Sequence, residues 1–216
     1  MSSEPIRDPV ADRLLTPQNA MMIIIDYQPV QVNSIKSMDH QTLVANIVTV
    51  AHTARAYGLP IVLSTVNVTS GRNAPTVQPL LDALGSIDPY DRTTINAWED
   101  VEFRNAVEAT GRHKLLIAAL WTEACLTFPT LDALRAGYEL FPIVDAVGGT
   151  SPTAHETGLR RVEQAGAQLT SIPQLLCELQ RDWARTATVS AFTDLLFSKH
   201  KTQPQAQAPS VAAPGH

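Results

Sequence analysis

A chain of 216 residues, 44% hydrophobic and 17% charged, has the composition of one ordinary folded domain, long enough to bury a core without disulfide or metal staples. A net charge of -5 and a pI near 5.6 leave no basic stripe to neutralise phosphates, which sets nucleic acid aside and favours a small-molecule partner. No apolar run approaches the roughly 20 residues that span a bilayer, so no membrane association is expected. Residues 1–15 carry Glu4, Arg7, Asp8, Asp12 and Arg13 instead of the apolar stretch of a secretory signal. The expected compartment is the cytoplasm. Two cysteines, Cys125 and Cys177, with no C-x-x-C pair, exclude a disulfide framework and a zinc knuckle.

Residues 1–16 show no period and read as an irregular arm reaching toward a neighbouring subunit. The domain, residues 17–200, opens with an apolar run at 21–25. Gly58, Gly111, Gly137 and Gly166 then recur in one context: each follows an amphipathic stretch and precedes an apolar run. That is helix, glycine stop, strand. The runs are 61–63, 114–120, 138–144 and 167–171, and their lack of alternation suits strands covered on both faces. The interval between Gly58 and Gly111 is long enough for two units, so a further weak strand is expected at 92–95. Helices are expected at 42–57, 76–84, 99–109, 124–136, 153–165 and 173–183, with a last one at 188–198. The fold class is α/β: a Rossmann-like three-layer sandwich with a six-stranded, mostly parallel sheet. Residues 201–216, rich in Gln, Pro and Ala, bury too little apolar surface to offset their ordering entropy and are expected to be disordered.

In an open parallel sheet, ligands sit outside the carboxyl ends of the strands. The first strand ends at Asp26, the second at Ser64 and Thr65, the fourth at residues 121–125. A carboxylate after four apolar residues needs a partner or a task. Cys125 lies between a strand end and a helix, where first-turn amides lower a thiol pKa and can donate to an oxyanion. A free cysteine is equally often a small buried hydrophobe, and position alone leaves both readings open.

The stretches Ile-Ile-Asp-Tyr-Gln at 24–28, Ile-Asn-Ala-Trp-Glu-Asp at 95–100 and Trp-Thr-Glu-Ala-Cys-Leu at 121–126 together resemble the isochorismatase-like cysteine hydrolases, and the YcaC-like branch in particular. Further matches at 108–111, 165–169 and 177–183 extend the resemblance over about residues 15–198. It implies an amidohydrolase acting on a small-molecule C-N bond, with an Asp, Lys and Cys triad and no cofactor. Asp26 would be the base and Cys125 the nucleophile of an acyl-thioester route. A non-proline cis peptide is implied at Leu120-Trp121, with the N-H groups of Trp121 and Cys125 forming the oxyanion hole. Where the family pattern has lysine this chain has Arg92, which keeps the charge but cannot act as a base. Lys114 starts the fourth strand, at the wrong edge to replace it. Residues 64–73 lack the Asp and His ligands of the metal-dependent nicotinamidase branch, so no metal is expected. The resemblance also implies a homo-oligomer.

Trp98, Thr122, Phe128 and Asn67 are the candidate pocket residues, with Thr150 a weaker one, each with a packing or loop role as the alternative. His155 could face the crevice, but a surface or helix-terminal histidine is the commoner outcome. His40, His52 and His113 receive no role, and Cys177 reads as an inert packed residue. The rival to a hydrolase is a non-catalytic ligand-binding or stress-associated scaffold in which Arg92 has replaced a necessary lysine. A nucleotide-binding Rossmann protein is disfavoured, because Asp-Tyr-Gln-Pro-Val, not a glycine-rich turn, follows the first strand.

Overall fold

The computed structural model describes residues 8–197. Five strands form one parallel sheet in the order β3-β2-β1-β4-β5: β1 Ala20–Ile25, β2 Ile61–Val66, β3 Tyr90–Arg92, β4 Lys114–Ala119 and β5 Glu139–Pro142. β1 and β4 are wholly buried, as expected of apolar runs covered on both faces. The helices are α1 Pro29–Ser34, α2 His40–Ala56, α3 Gln78–Leu84, α4 Val101–Ala109, α5 Thr127–Arg135, α6 Pro152–Gln164, α7 Ile172–Gln180 and α8 Thr186–Phe197. They pack as two groups, α2 with α3, α7 and α8, and α5 with α6 and the turn before α4, flanking the sheet.

Local chemistry sets the boundaries. Asp39, Asp100, Ser151 and Ser171 each accept a first-turn N-H with the side chain, at the starts of α2, α4, α6 and α7. The four glycines that punctuate the sequence all adopt positive φ, between 64° and 109°, the left-handed stop that other residues resist.

Three expectations change. The sheet has five strands, not six: residues 167–171 run beside β5, with Thr170 N-H on Pro142 O at 2.9 Å and Val144 N-H on Thr170 O at 2.9 Å, but only an isolated bridge forms at Ile143 and Thr170. Pro142 has no N-H to give, and Ser171 already caps α7, so no ladder develops. β3 lies at Tyr90–Arg92 instead of 92–95, since Asn96 caps the 3-10 turn Ala97–Glu99. The short helix α1 went unread; Pro29 at its first position starts it.

The described part of the N-terminal arm packs on its own chain. Leu15 is fully buried, Asp12 pairs with Arg181 at 2.9 Å, and Lys114 Nζ donates to Arg13 O at 3.1 Å. The tail at 201–216 lies outside the described residues. No described helix is long and apolar enough to cross a membrane.

Candidate active site

The strand order places a reversal between β1 and β4: the chain winds from β1 out to β2 and β3, then returns to the other side of β1 with β4 and β5. A crevice opens at such a switch point, beyond the carboxyl ends of the two strands. Asp26 follows β1 and the segment 120–126 follows β4, hydrogen-bonded through Leu120 N-H to Ile25 O at 3.1 Å.

Asp26 is fully buried with φ of 61°, a left-handed conformation that aspartate tolerates better than most residues. Its carboxylate is held end-on by Arg92: Nη1 reaches Oδ1 and Nη2 reaches Oδ2, both at 2.7 Å. Neither side chain is exposed. Arg92 Nη1 also donates to Thr65 O at 3.0 Å and Ser64 Oγ at 3.3 Å, and Nη2 to Ile95 O at 3.1 Å. Of its five N-H groups, only Nε has no protein acceptor among the described residues. A bidentate pair with further acceptors is the geometry that makes a buried ion pair tolerable. Burial pulls the Arg92 pKa down, but hydrogen bonding and charge attraction from Asp26 outweigh it and raise it.

Cys125 completes the group. The segment leaves β4 through a cis peptide at Leu120-Trp121 and forms a π-helical turn, Thr122–Leu126, before α5 begins. The thiol is buried, and Asp26 and Arg92 lie close enough for both of their charges to act on it. Its pKa is pushed up to about 12, first by burial and then by the Asp26 charge, against a smaller lowering by Arg92. The helix-terminus reading expected the opposite. Cys125 sits inside the π turn, not at the mouth of α5, and desolvation with an adjacent carboxylate dominates any dipole contribution.

The remaining candidates divide. Trp121 turns its indole Nε1-H to Ser34 Oγ at 2.6 Å, leaving only its backbone toward Cys125. Phe128 is half-buried in the first turn of α5. Thr122 is fully buried with its hydroxyl on His155, so it supports the turn rather than lining a pocket. Trp98 is buried and meets Tyr138 edge-on at 5.5 Å. Tyr138 precedes β5 at the end of the sheet away from Asp26, so this contact packs the Trp98 ring toward that end. Asn67, with φ of 62°, organises a loop: its N-H donates to Arg92 O at 2.8 Å and its carbonyl accepts from Arg72 and Asn73. Thr150 donates to Glu123 through N-H and hydroxyl. Lys114 is at the far edge, paired with Glu139 at 2.8 Å.

Sequence reasoning passed over several supports. Gln28, fully buried, accepts from Val66 N-H at 3.0 Å and donates to Val66 O and Ala74 O, pinning the loop that follows β2. Asp91 accepts from Thr65 Oγ1, Val68 N-H and Thr69 N-H. Burial pushes its pKa up, but those donors win and hold it low. The only signal for either was a polar residue beside a strand end. Among the described residues, no three His, Cys, Asp or Glu side chains gather as a metal-binding group.

Residues 20–174 match the isochorismatase domain. The chain belongs to the isochorismatase family. It is 33% identical over 188 residues to "Probable hydrolase YcaC" of Escherichia coli, covering 86% of this chain and 88% of that protein. The structure of YcaC from Pseudomonas aeruginosa, described with hexane-2,5-diol and covalent acrylamide, superposes with a TM-score of 0.75 at 31% identity, covering 87% of this chain and 98% of that one. The E. coli YcaC structure, described as an octameric hydrolase of unknown specificity, gives a TM-score of 0.76 at 28% identity over 89% and 98% of the chains. The YcaC-like branch that the motifs point to is therefore shown, with its α/β fold and hydrolase class.

Proposed function

We propose that this isochorismatase-family hydrolase cleaves the C-N bond of a small neutral amide through an acyl-thioester on Cys125, with Asp26 as base and Arg92 as its electrostatic partner. The observation that carries the reading is the buried Cys125 thiol set beside a buried carboxylate whose two oxygens are both gripped by Arg92. As Sγ attacks the carbonyl carbon, its proton passes to Asp26. The C-N bond breaks, Asp26 returns that proton to the departing amine, and a thioester remains. Asp26 then takes a proton from water, hydroxide adds to the thioester, and the carboxylic acid leaves as the thiol is restored. The N-H groups of Trp121 and Cys125 would stabilise the oxyanion.

Charge supports a neutral substrate. Four of Arg92's five N-H groups already point at protein acceptors, so it offers a substrate at most one donor and cannot chelate a carboxylate. The covalent acrylamide on the Pseudomonas relative is itself a small neutral amide. The octamer of the E. coli relative supports a homo-oligomer here too.

The competing scaffold reading draws on the raised thiol pKa, which would leave Cys125 inert without a working base. Treatment with acrylamide and peptide mapping separates the two. A nucleophilic site takes up one acrylamide at Cys125, and screening neutral primary amides finds ammonia release that Cys125→Ala abolishes. Modification of Cys177 alone, or ammonia release that survives in Cys125→Ala, refutes the thioester route.

A further inference from the structure

His155 stands outside the Asp26, Arg92 and Cys125 group, yet it touches the turn that carries the thiol. It lies half-buried in the first turns of α6, with Nδ1 2.9 Å from Thr122 Oγ1. Thr122 heads the π turn and is fully buried. Its N-H donates to Gly148 O at 2.9 Å and its carbonyl accepts from Thr127 Oγ1 at 2.6 Å. The next residue, Glu123, accepts from Thr150 N-H and Oγ1-H at 3.0 and 2.6 Å with one oxygen. The other oxygen is buried with no donor among the described residues.

The packing around these bonds has no slack. A Cβ on Gly149 would lie 2.8 Å from Glu123 Oε2 and 2.9 Å from His155 Cβ, and one on Gly158 would lie 3.1 Å from Thr122 O. Both glycines let the chain press directly on the turn. A π turn is a rare and weakly self-supporting geometry, so its shape here depends on what clamps it from outside.

We propose that His155, acting through the Thr122 hydroxyl, is a positioning residue that fixes the π turn so that the Cys125 thiol stays beside the Asp26 carboxylate. The inference rests on Cys125 and Asp26 being nucleophile and base. The charged groups acting on His155 are Glu123 from the π turn and Glu156 from α6 itself, while burial, the larger influence, holds its pKa below the ordinary value. The ring is therefore neutral at physiological pH, and Nδ1 pairs with the hydroxyl as acceptor or donor. An asparagine can supply either role near the same place; a leucine supplies neither.

The test follows the iodoacetamide labelling rate of Cys125 from pH 6 to 10 by intact mass, in a Cys177→Ser background. In the parent chain the rate climbs about tenfold per pH unit without a plateau, because the thiol keeps its proton up to about 12. His155→Leu and Thr122→Val loosen the thiol from Asp26; burial still holds its pKa up, so their profiles move toward the ordinary 9.0 without reaching it and labelling at pH 8 rises at least about 3-fold. His155→Asn and Thr122→Ser keep the parent profile, and the double variant His155→Leu with Thr122→Val departs no further than either single one. Parent-like profiles in His155→Leu and Thr122→Val, equal departure in His155→Asn, or additive effects overturn the proposal. A parent chain that itself bends over near 9.0 sinks the underlying reading of Cys125 on Asp26 instead. Near-UV circular dichroism checks folding, and the nearly isosteric Thr122→Val and Thr122→Ser pair decides the outcome where the histidine variant does not fold.

Discussion

Replacing Asp26 with Asn should make Cys125 easier to alkylate while stopping turnover. The carboxylate raises the thiol pKa both by charge and by hydrogen bond, and Arg92 opposes it. A like charge within about 4–6 Å is worth roughly 1–3 pH units, so its removal increases thiolate at pH 8 by about 10- to 1000-fold. Nucleophilicity falls with pKa at a Brønsted slope near 0.5, which cuts the gain in rate to about 3- to 30-fold. Hydrolysis moves the other way, down by about 100-fold or more, since no base remains to take the thiol proton or hand it to the amine. The assay pairs the iodoacetamide rate of Cys125, in a Cys177→Ser background, with ammonia release from whichever amide the screen identifies. Unfolding would also speed labelling, so near-UV circular dichroism and the labelling rate in urea set the folded and unfolded limits. A slower or unchanged alkylation rate shows that Asp26 does not press on the thiol, and unchanged hydrolysis shows that it is not the base.

Arg92→Lys keeps a cation but loses the fork, and with it several of the contacts to Asp26, Ser64, Thr65 and Ile95; urea unfolding should show a loss of about 1–3 kcal/mol, with hydrolysis kept within about tenfold. Cys125 also gives the fold an alkaline weakness. Its folded pKa is raised from 9.0 to about 12, so between those values the folded chain holds a proton that the unfolded chain releases, and stability falls as pH rises. Going from pH 8 to pH 10, the parent should lose about 1.4 kcal/mol more than Cys125→Ala in urea melts, and equal losses would contradict the raised value. Gly149→Ala forces a methyl against Glu123 and His155; a thermal melt should report about 1–3 kcal/mol of destabilisation, and an unchanged melting temperature would show that the 148–158 segment does not clamp the turn.

The sheet was legible because its central strands are buried on both faces and therefore apolar without interruption, and because glycine marks each preceding helix end. Legibility failed where structure depends on partners remote in sequence. Residues 167–171 have a strand's composition, but Pro142 and the α7 cap deny them a ladder. β3 is three residues of Tyr-Asp-Arg, whose pairing with β2 and with Asp26 leaves no local hydrophobic pattern. Asp26 and Cys125 could be placed at the crevice from the sequence because strand ends are readable. The Thr122 and His155 contact could not, since nothing near residue 122 signals a helix face that arrives 33 residues later. Trp98 misled for the same reason: its loop starts at Arg92, but its ring travels back to Tyr138.

The direction of the Cys125 shift changes how such a site must work. A thiol held up to about 12 is almost entirely protonated at neutral pH, so the resting site holds little free thiolate and direct alkylation there is slow. On the proposed thioester route attack is coupled to proton transfer, and Asp26 is the base placed to receive the proton. Arg92 binds both oxygens of that carboxylate with a cation that never loses its proton. A lysine in that place would make one point contact and could itself give up a proton; the arginine fork removes that freedom, so on the proposed route Asp26 carries the proton transfers between thiol, amine and water. On that route the acid-base work falls on a single carboxylate, and the proposed reaction then depends on the π turn presenting the thiol to it.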